Sequence, residues 1–249
     1  MQIKAEKITP YGHDDPKGKQ VEAMFDNIAP AYDFMNRAMT FGVDRGWRRK
    51  VVKAIAADSP ATLLDVATGT GDMAIQLARA IPGCRITGID LSEGMMAVGR
   101  KKVEDAGLTD RIAFRQADCL KLPFADNSFD AVTVAFGVRN FEHLDRGYAE
   151  MARVLRPGGK LYVIELSTPT NPVVKPFYKL YTRGIIPLVG RMVSKDRSAY
   201  SYLPASIAAM PQGGEMLALM TGAGLSGPSL RRLTFGVCTI YTAGKPAKQ

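Results

Sequence analysis

The chain has 249 residues, 46% of them hydrophobic and 23% charged, with a net charge of +9 at neutral pH. That length buries one α/β core and is short for two independent domains. No apolar run reaches the length of a membrane span and residues 1–7 lack an apolar leader, so the expectation is a soluble, cytoplasmic protein. Cys84, Cys119 and Cys238 are odd in number and scattered without CxxC spacing, which argues against a disulfide framework or a zinc site and for reduced, buried thiols.

Residues 1–17 are polar and include Pro10, Gly12 and Pro16, the composition of a mobile arm. Residues 18–57 carry apolar side chains at helical spacing, broken near Pro30 and Gly42, and read as a helical cover. Between 58 and 166 strands alternate with helices: strands near 62–67, 85–90, 111–117, 128–135 and 158–166, helices near 71–81, 93–107 and 143–155. Such alternation specifies a parallel sheet with helices on both faces. An insertion fills 167–210, and a closing helix follows at 211–222. The stretches 224–233 and 234–243 then read as an antiparallel strand pair at the end of the sheet.

The run LLDVATGTGD over residues 63–72 reads as a buried strand turning on Gly69 and Gly71 into a helix. Glycine admits positive φ and lets a ligand approach the backbone, and the helix start offers free N–H donors. The spacing Gly69-x-Gly71-x-x-Ala74 also fits a dinucleotide fingerprint, which alone is a weak signal. Asp65 at the mouth of the turn favours a ligand with an ammonium group and no phosphate, such as S-adenosylmethionine. The second strand ends in Asp90, placed to take both hydroxyls of a ribose, and the third ends in Asp118, an acceptor for an adenine amino group. Each acid alone is an ordinary turn residue. Three at strand ends facing one crevice argue for a site.

Two further blocks are narrower. YDFMNRAMTFGVDRGW over residues 32–47 resembles the N-terminal signature of the ubiquinone/menaquinone biosynthesis C-methyltransferases, and RVLRPGGKLYVIELS over 153–167 resembles their second signature, with AFGVRN at 135–140 between them. The resemblance runs from about Lys19 to Thr242. It implies the class I S-adenosylmethionine-dependent methyltransferase fold, Rossmann-like, with a mostly parallel seven-stranded sheet. It implies S-adenosylmethionine as cofactor, with Gly69, Thr70 and Gly71 at its methionine end, Asp90 on the ribose, and Asp118 with Cys119 around the adenine. The chain departs from the family pattern at Ala67, where the turn has its first glycine, at Asp44, where histidine is usual, and at Ala135, where serine is common.

The reaction so implied is C-methylation of a polyprenylated quinol, demethylmenaquinol in the naphthoquinol branch, with a benzoquinol branch that shares the motifs. Carbon is a poor nucleophile, but a phenol beside it becomes enolate-like on losing its proton, so the reduced ring reacts. Tyr32 and Arg139 are the catalytic candidates, Arg139 as the stabiliser of a developing phenolate, with bracing of its loop through Glu142 as the alternative role. His143, beside Glu142 at a helix start, reads as a surface or capping residue. From Leu166 onward ten Lys and Arg face only Asp196 and Glu215, a net +8, with aromatic and aliphatic residues interleaved among the cations over 173–191. An anionic membrane surface, where a prenylated substrate resides, fits that pattern, as does a solvated basic face. An RNA methyltransferase is the rival reading, but the chain has no Asn/Asp-Pro-Pro-aromatic element and no Pro-Cys nucleophile, so no nucleic acid is expected.

Overall fold

A computed structural model describes residues 3–12, 14–185 and 197–247. Five strands form the parallel part of one sheet: β1 (Thr62–Val66), β2 (Arg85–Asp90), β3 (Ile112–Gln116), β4 (Phe129–Ala135) and β5 (Leu155–Leu166). β6 (Ser226–Leu233) and β7 (Cys238–Gly244) complete it in the order β3-β2-β1-β4-β5-β7-β6. β7 runs antiparallel to both neighbours, with Ile164 opposite Ile240 and Leu233 opposite Cys238. This is the expected class I methyltransferase fold with the expected closing pair.

The alternation of side chains along the strands supplies both faces of the core. On β5, Leu161 and Val163 join Tyr148, Met151 and Met216 on one face, while Tyr162 and Ile164 join Trp47, Ile55 and Leu77 on the other. Burial on both faces is why these strands carry so few polar residues. The helices are α4 (Asp72–Ala80), α5 (Glu93–Asp105), α6 (Leu144–Val154) and α9 (Gly214–Gly222). Ser92 caps α5, its Oγ accepting the Met95 N–H at 3.0 Å.

The N-terminal cover consists of α1 (Lys17–Ile28), α2 (Tyr32–Thr40) and α3 (Val43–Ala57), broken where expected: a short turn over Ala29–Ala31 contains Pro30, and Phe41 and Gly42 take the left-handed conformation between α2 and α3. The cover is pinned to the sheet domain by polar contacts. Asp26 accepts from Ser92 Oγ at 2.5 Å and from the Gly94 N–H at 2.9 Å, and Lys102 pairs with Asp33 at 2.7 Å.

The expected mobile arm is docked over its described part. Ala5 is fully buried, the Glu6 carboxylate accepts the Leu144 N–H at 2.9 Å, and the Lys17 ammonium donates to the carbonyls of Ala5, Arg139 and Phe141. Burial lowers the Lys17 pKa to about 8, so three carbonyl acceptors and the nearby carboxylates of Glu6 and Glu142 offset only part of its desolvation. Polar composition suggested an arm because it does not reveal an ammonium two of whose three carbonyl partners lie more than a hundred residues away.

The insertion after β5 forms α7 (Val174–Leu180), a π-helical turn over Tyr181–Ile185, and α8 (Arg197–Ala209). Residues 186–191 of the aromatic-basic stretch, with Arg191, lie outside the described residues, as do Lys195, Asp196 and Lys248. Tyr202 and Ala199 of α8 pack with Val21, Met24 and Met35 of the cover, so the insertion and the cover enclose one side of the carboxyl edge together.

Candidate functional site

Two cavities open at the carboxyl ends of β1, β2 and β4. The first, of about 270 Å³, is bounded by Gly69, Asp90, Asp118 and Cys119 from the sheet domain and by α1 from the cover. Its lining carries the carboxylates of Glu22, Asp90, Asp118 and Glu142 against the single cation of Lys19. A site of that charge repels a pyrophosphate and attracts a cation.

Asp90 anchors the turn as well as the wall. One carboxylate oxygen accepts the Gly69 N–H at 2.8 Å and the other the Ser92 N–H at 3.0 Å, and with the Leu91 N–H also drawing on it the carboxylate still keeps acceptor capacity for a ligand. Burial raises its pKa to about 6 against the pull of those N–H groups. Gly69, at φ +56°, brings bare backbone to the cavity.

Of the residues predicted for this pocket, Gly69, Asp90, Asp118 and Cys119 border it, while Thr70 and Gly71 do not. Thr70 is buried and donates its hydroxyl to Asp33 of the cover at 2.6 Å. Gly71 caps α4 at φ +76°, and a Cβ there would lie 2.7 Å from the Phe114 ring. Its glycine is needed for that ring and for the turn rather than for a ligand. Asp65 is likewise absent from the wall. It is buried beneath the turn, where one oxygen accepts the Thr68 hydroxyl at 2.7 Å and the other has no partner; burial raises its pKa to about 7. The inference of a cationic ligand therefore rests on the acids of the wall, with Asp65 as a reserve of negative charge behind it. Cys119, expected to be buried, is partly buried on the wall; burial of its thiol and the neighbouring Asp118 and Asp90 push its pKa well up, so it stays a neutral packing group. Asp118 turns one oxygen to the Leu120 N–H at 2.8 Å.

The second cavity, of about 380 Å³, lies between the cover and the insertion, with walls that include Met39, Trp47, Phe177, Tyr181, Leu203 and Ile207. Within this apolar lining stand two buried guanidinium groups, Arg48 and Arg139. Arg139 sits in the turn after β4 and pairs with Glu165 at 2.8 Å while donating to the Phe136 carbonyl. Burial alone would lower its pKa, but Glu165 together with Tyr32 and Tyr202 outweighs this and the pKa is raised, so it stays a cation. The brace foreseen as Glu142 is Glu165 instead; Glu142 accepts the Gly18 N–H at 3.1 Å on the first cavity. Glu165 was open to the same inference as Asp90, an acid at a strand end, and was passed over within its signature block. Arg48 pairs with Asp44 one helical turn away, and its guanidinium lies 4.9 Å from the centre of the Phe136 ring. His143 is exposed and borders neither cavity, in line with a surface role.

Tyr32 and Phe136 border both cavities, and nothing else on the two walls does. Tyr32 is the first residue of α2, held edge-to-face on Phe25 at 5.9 Å. Burial raises the pKa of its hydroxyl, so at neutral pH it is a hydrogen-bond donor. Phe136 at the junction takes φ +61° and Ala67 on the wall of the first cavity takes φ +53°, strained backbone for residues with a Cβ.

The sequence pattern of the ubiE/COQ5 methyltransferase family matches residues 13–245. A demethylmenaquinone methyltransferase of Bacteroides fragilis is 51% identical over 98% of this chain and 100% of its own length. One of Porphyromonas gingivalis is 51% identical over 95% of this chain and 97% of its own. A ubiquinone/menaquinone biosynthesis C-methyltransferase UbiE of Geobacter sulfurreducens is 45% identical over 98% and 95%. Among solved structures, an O-methyltransferase family protein from Burkholderia thailandensis superposes with a TM-score of 0.65 at 17% identity, over 92% of this chain and 63% of that one. The cyclase SpnF superposes at 0.57 with 22% identity over 94% and 98%. At such identities these structures share the fold alone.

Proposed function

The chain belongs to the ubiE/COQ5 methyltransferase family, and from that membership and its site we propose that it methylates a ring carbon of demethylmenaquinol with S-adenosylmethionine as donor, a step of respiratory quinone biosynthesis. The observation that carries this reading is the junction at Tyr32 and Phe136, where an acid-lined cavity suited to a cationic nucleoside meets an apolar cavity suited to a prenylated ring.

The wall of the first cavity fits the donor. Asp90 keeps lone pairs for a ribose, Asp118 and Cys119 frame a base, Gly69 offers backbone, and the acids compensate an ammonium and a sulfonium. When bound, S-adenosylmethionine supplies an electrophilic methyl group on a sulfonium that departs as a neutral thioether. As the ring carbon forms the new C–C bond its neighbouring hydroxyl gives its proton to solvent, and the ring-carbon proton then leaves to solvent as the oxygen is reprotonated, restoring the aromatic ring with one proton released overall. Arg139 stabilises the phenolate, since its cation is held by Glu165 in an apolar setting where a charge–charge contact is strong. Tyr32 donates a hydrogen bond across the junction and helps exclude water. No residue needs to bind a metal for this chemistry.

The substrate reaches its cavity from a bilayer. No described helix is long and apolar enough to cross a membrane. Beside the second cavity Phe41, Phe177 and Val43 of its wall are exposed, as are Val173 and Leu180 on α7, whose Lys175 and Lys179 are also exposed. Aromatic groups with cations around an apolar cavity suit shallow insertion into an anionic surface, each cation adding about 1 kcal/mol at low salt. Co-sedimentation with anionic vesicles, weakened by salt and by Phe41→Ser with Phe177→Ser, is the expected result; equal binding to neutral vesicles at low salt contradicts it.

The substrate assignment is tested with reduced naphthoquinone and benzoquinone rings carrying the same short prenyl tail. The naphthoquinol gives the higher kcat/KM. A preference for the benzoquinol reassigns the branch, and turnover of neither ring rejects the reading.

A further inference from the structure

A guanidinium has five N–H donors, and buried donors are nearly always used. Arg48 is 6% exposed, yet among the described residues its one hydrogen bond is from Nη1 to Asp44, and its buried Nε has no partner there. Arg139, also 6% exposed, spends Nη1 on Glu165 and Phe136 and likewise leaves Nε unpaired. Both line the second cavity, and both grip Phe136, Arg48 over its ring and Arg139 at its carbonyl. In each, Nη2 makes no hydrogen bond among the described residues, and two cations with a spare donor on the wall of a mostly apolar cavity call for a ligand with two oxygen acceptors on one flat body.

We propose that Arg48 is a ring-binding residue that donates to the second oxygen of the quinol, the one para to the oxygen held by Arg139. This rests on the reading of the second cavity as the quinol site. Arg139 belongs to the turn that includes Gly137 and Asn140, both on the wall of the donor cavity, so its guanidinium serves the oxygen beside the reacting carbon. Arg48 comes from α3 and borders the second cavity but not the first, so it serves the far oxygen. Asp44 is a positioning residue: it accepts the Thr40 hydroxyl at 2.9 Å with one oxygen and holds Arg48 with the other. The pair therefore distinguishes a ring with two para oxygens from a ring with a single hydroxyl.

The test uses the full chain with Arg48→Met and Asp44→Asn combined, so that no buried carboxylate is left without its partner. Two substrates carry the same short prenyl tail: the naphthalene diol with para hydroxyls, and the ring that keeps only the hydroxyl beside the reacting carbon. Thermal unfolding and S-adenosylmethionine affinity by calorimetry verify the fold and the first cavity, and both should stay near wild type. On the diol the double variant loses about 10- to 100-fold in kcat/KM, as expected for a lost hydrogen bond to a charged donor. On the single-hydroxyl ring wild type and variant agree within a factor of about 3, because the missing oxygen has already removed the contact. An equal loss on both rings, or no loss on the diol, overturns the proposal and leaves Arg48 as a packing partner of Phe136. A wild-type protein that binds S-adenosylmethionine but methylates neither ring overturns the quinol reading itself, and this proposal with it.

Discussion

The first cavity is built by backbone and short acids on the sheet edge, the second by long side chains contributed from outside the sheet. Around the first, Gly69, Asp90 and Asp118 lie at the ends of adjacent strands whose register is fixed by the ladder, as in the pairing of Val66 with Ile89 and of Asp90 with Gln116. Around the second, Arg48, Tyr32, Phe177 and Leu203 come from four helices of the cover and the insertion. The difference separates two tasks. A donor of fixed shape is met by the sheet edge, whereas a ring with an oily tail is met by side chains gathered from several helices.

The contrast breaks most sharply at Arg139, which serves the second cavity. Arg139→Ala should lower single-turnover methylation by about 10²–10³ while S-adenosylmethionine affinity stays within a few-fold. Because Glu165 is then left buried and unpaired, the variant should also lose about 3–5 kcal/mol of stability. Arg139→Met with Glu165→Gln separates the effects, recovering stability without turnover. Normal turnover in a folded variant removes Arg139 from the chemistry.

The matching break in the first cavity is Asp90→Ala. Losing the ribose contacts and the brace on Gly69 should weaken S-adenosylmethionine by about a hundredfold in calorimetry, with turnover at saturating donor much closer to wild type. Affinity within threefold of wild type sinks the ribose assignment.

A smaller effect distinguishes the cavities by pH. Asp90 has its pKa raised to about 6 and Asp65 to about 7, so both protonate as the medium becomes mildly acidic. A cationic donor prefers them ionised, and its affinity should be about tenfold weaker at pH 5 than at pH 8. The ligand-free fold responds with the opposite sign. A carboxyl whose folded value exceeds its usual 3.8 holds more protons folded than unfolded, so stability is highest in acid near that value and declines as pH rises toward 7. A pH-independent affinity between those limits contradicts the electrostatic account of the first cavity.

The smallest effect is at Ala67, which sits in left-handed backbone on the wall of the first cavity. Ala67→Gly should relieve about 1 kcal/mol of strain, read as a rise in Tm. A fall in Tm shows that the Cβ earns its place by packing.

The sheet and its edge were legible because each signal is local: β-periodic apolar runs give strands, and an acid or glycine at a run's end gives the wall. The same logic misplaced Thr70, Gly71 and Asp65. Sequence spacing says that a residue lies at the turn, but not that the Thr70 hydroxyl turns to Asp33, that the Gly71 backbone sits against the Phe114 ring, or that Asp65 is buried beneath. The docking of residues 3–8 and the pairing of Arg139 with Glu165 join parts of the chain far apart in sequence, and no local pattern carries them. Arg48 was visible only as the Arg of an i, i+4 pair with Asp44, which on most helices marks a solvated face. Its burial on the wall of the second cavity makes it part of a site.

The central claim, that the two cavities pass a methyl group to carbon across Tyr32 and Phe136, is tested most directly by following a carbon-13 methyl label from S-adenosylmethionine with NMR. With the short-tailed naphthoquinol the label should appear on the ring carbon beside the phenol, and with the same ring kept as the quinone no label should transfer. Label on a ring oxygen, or equal transfer to quinol and quinone, would contradict the account.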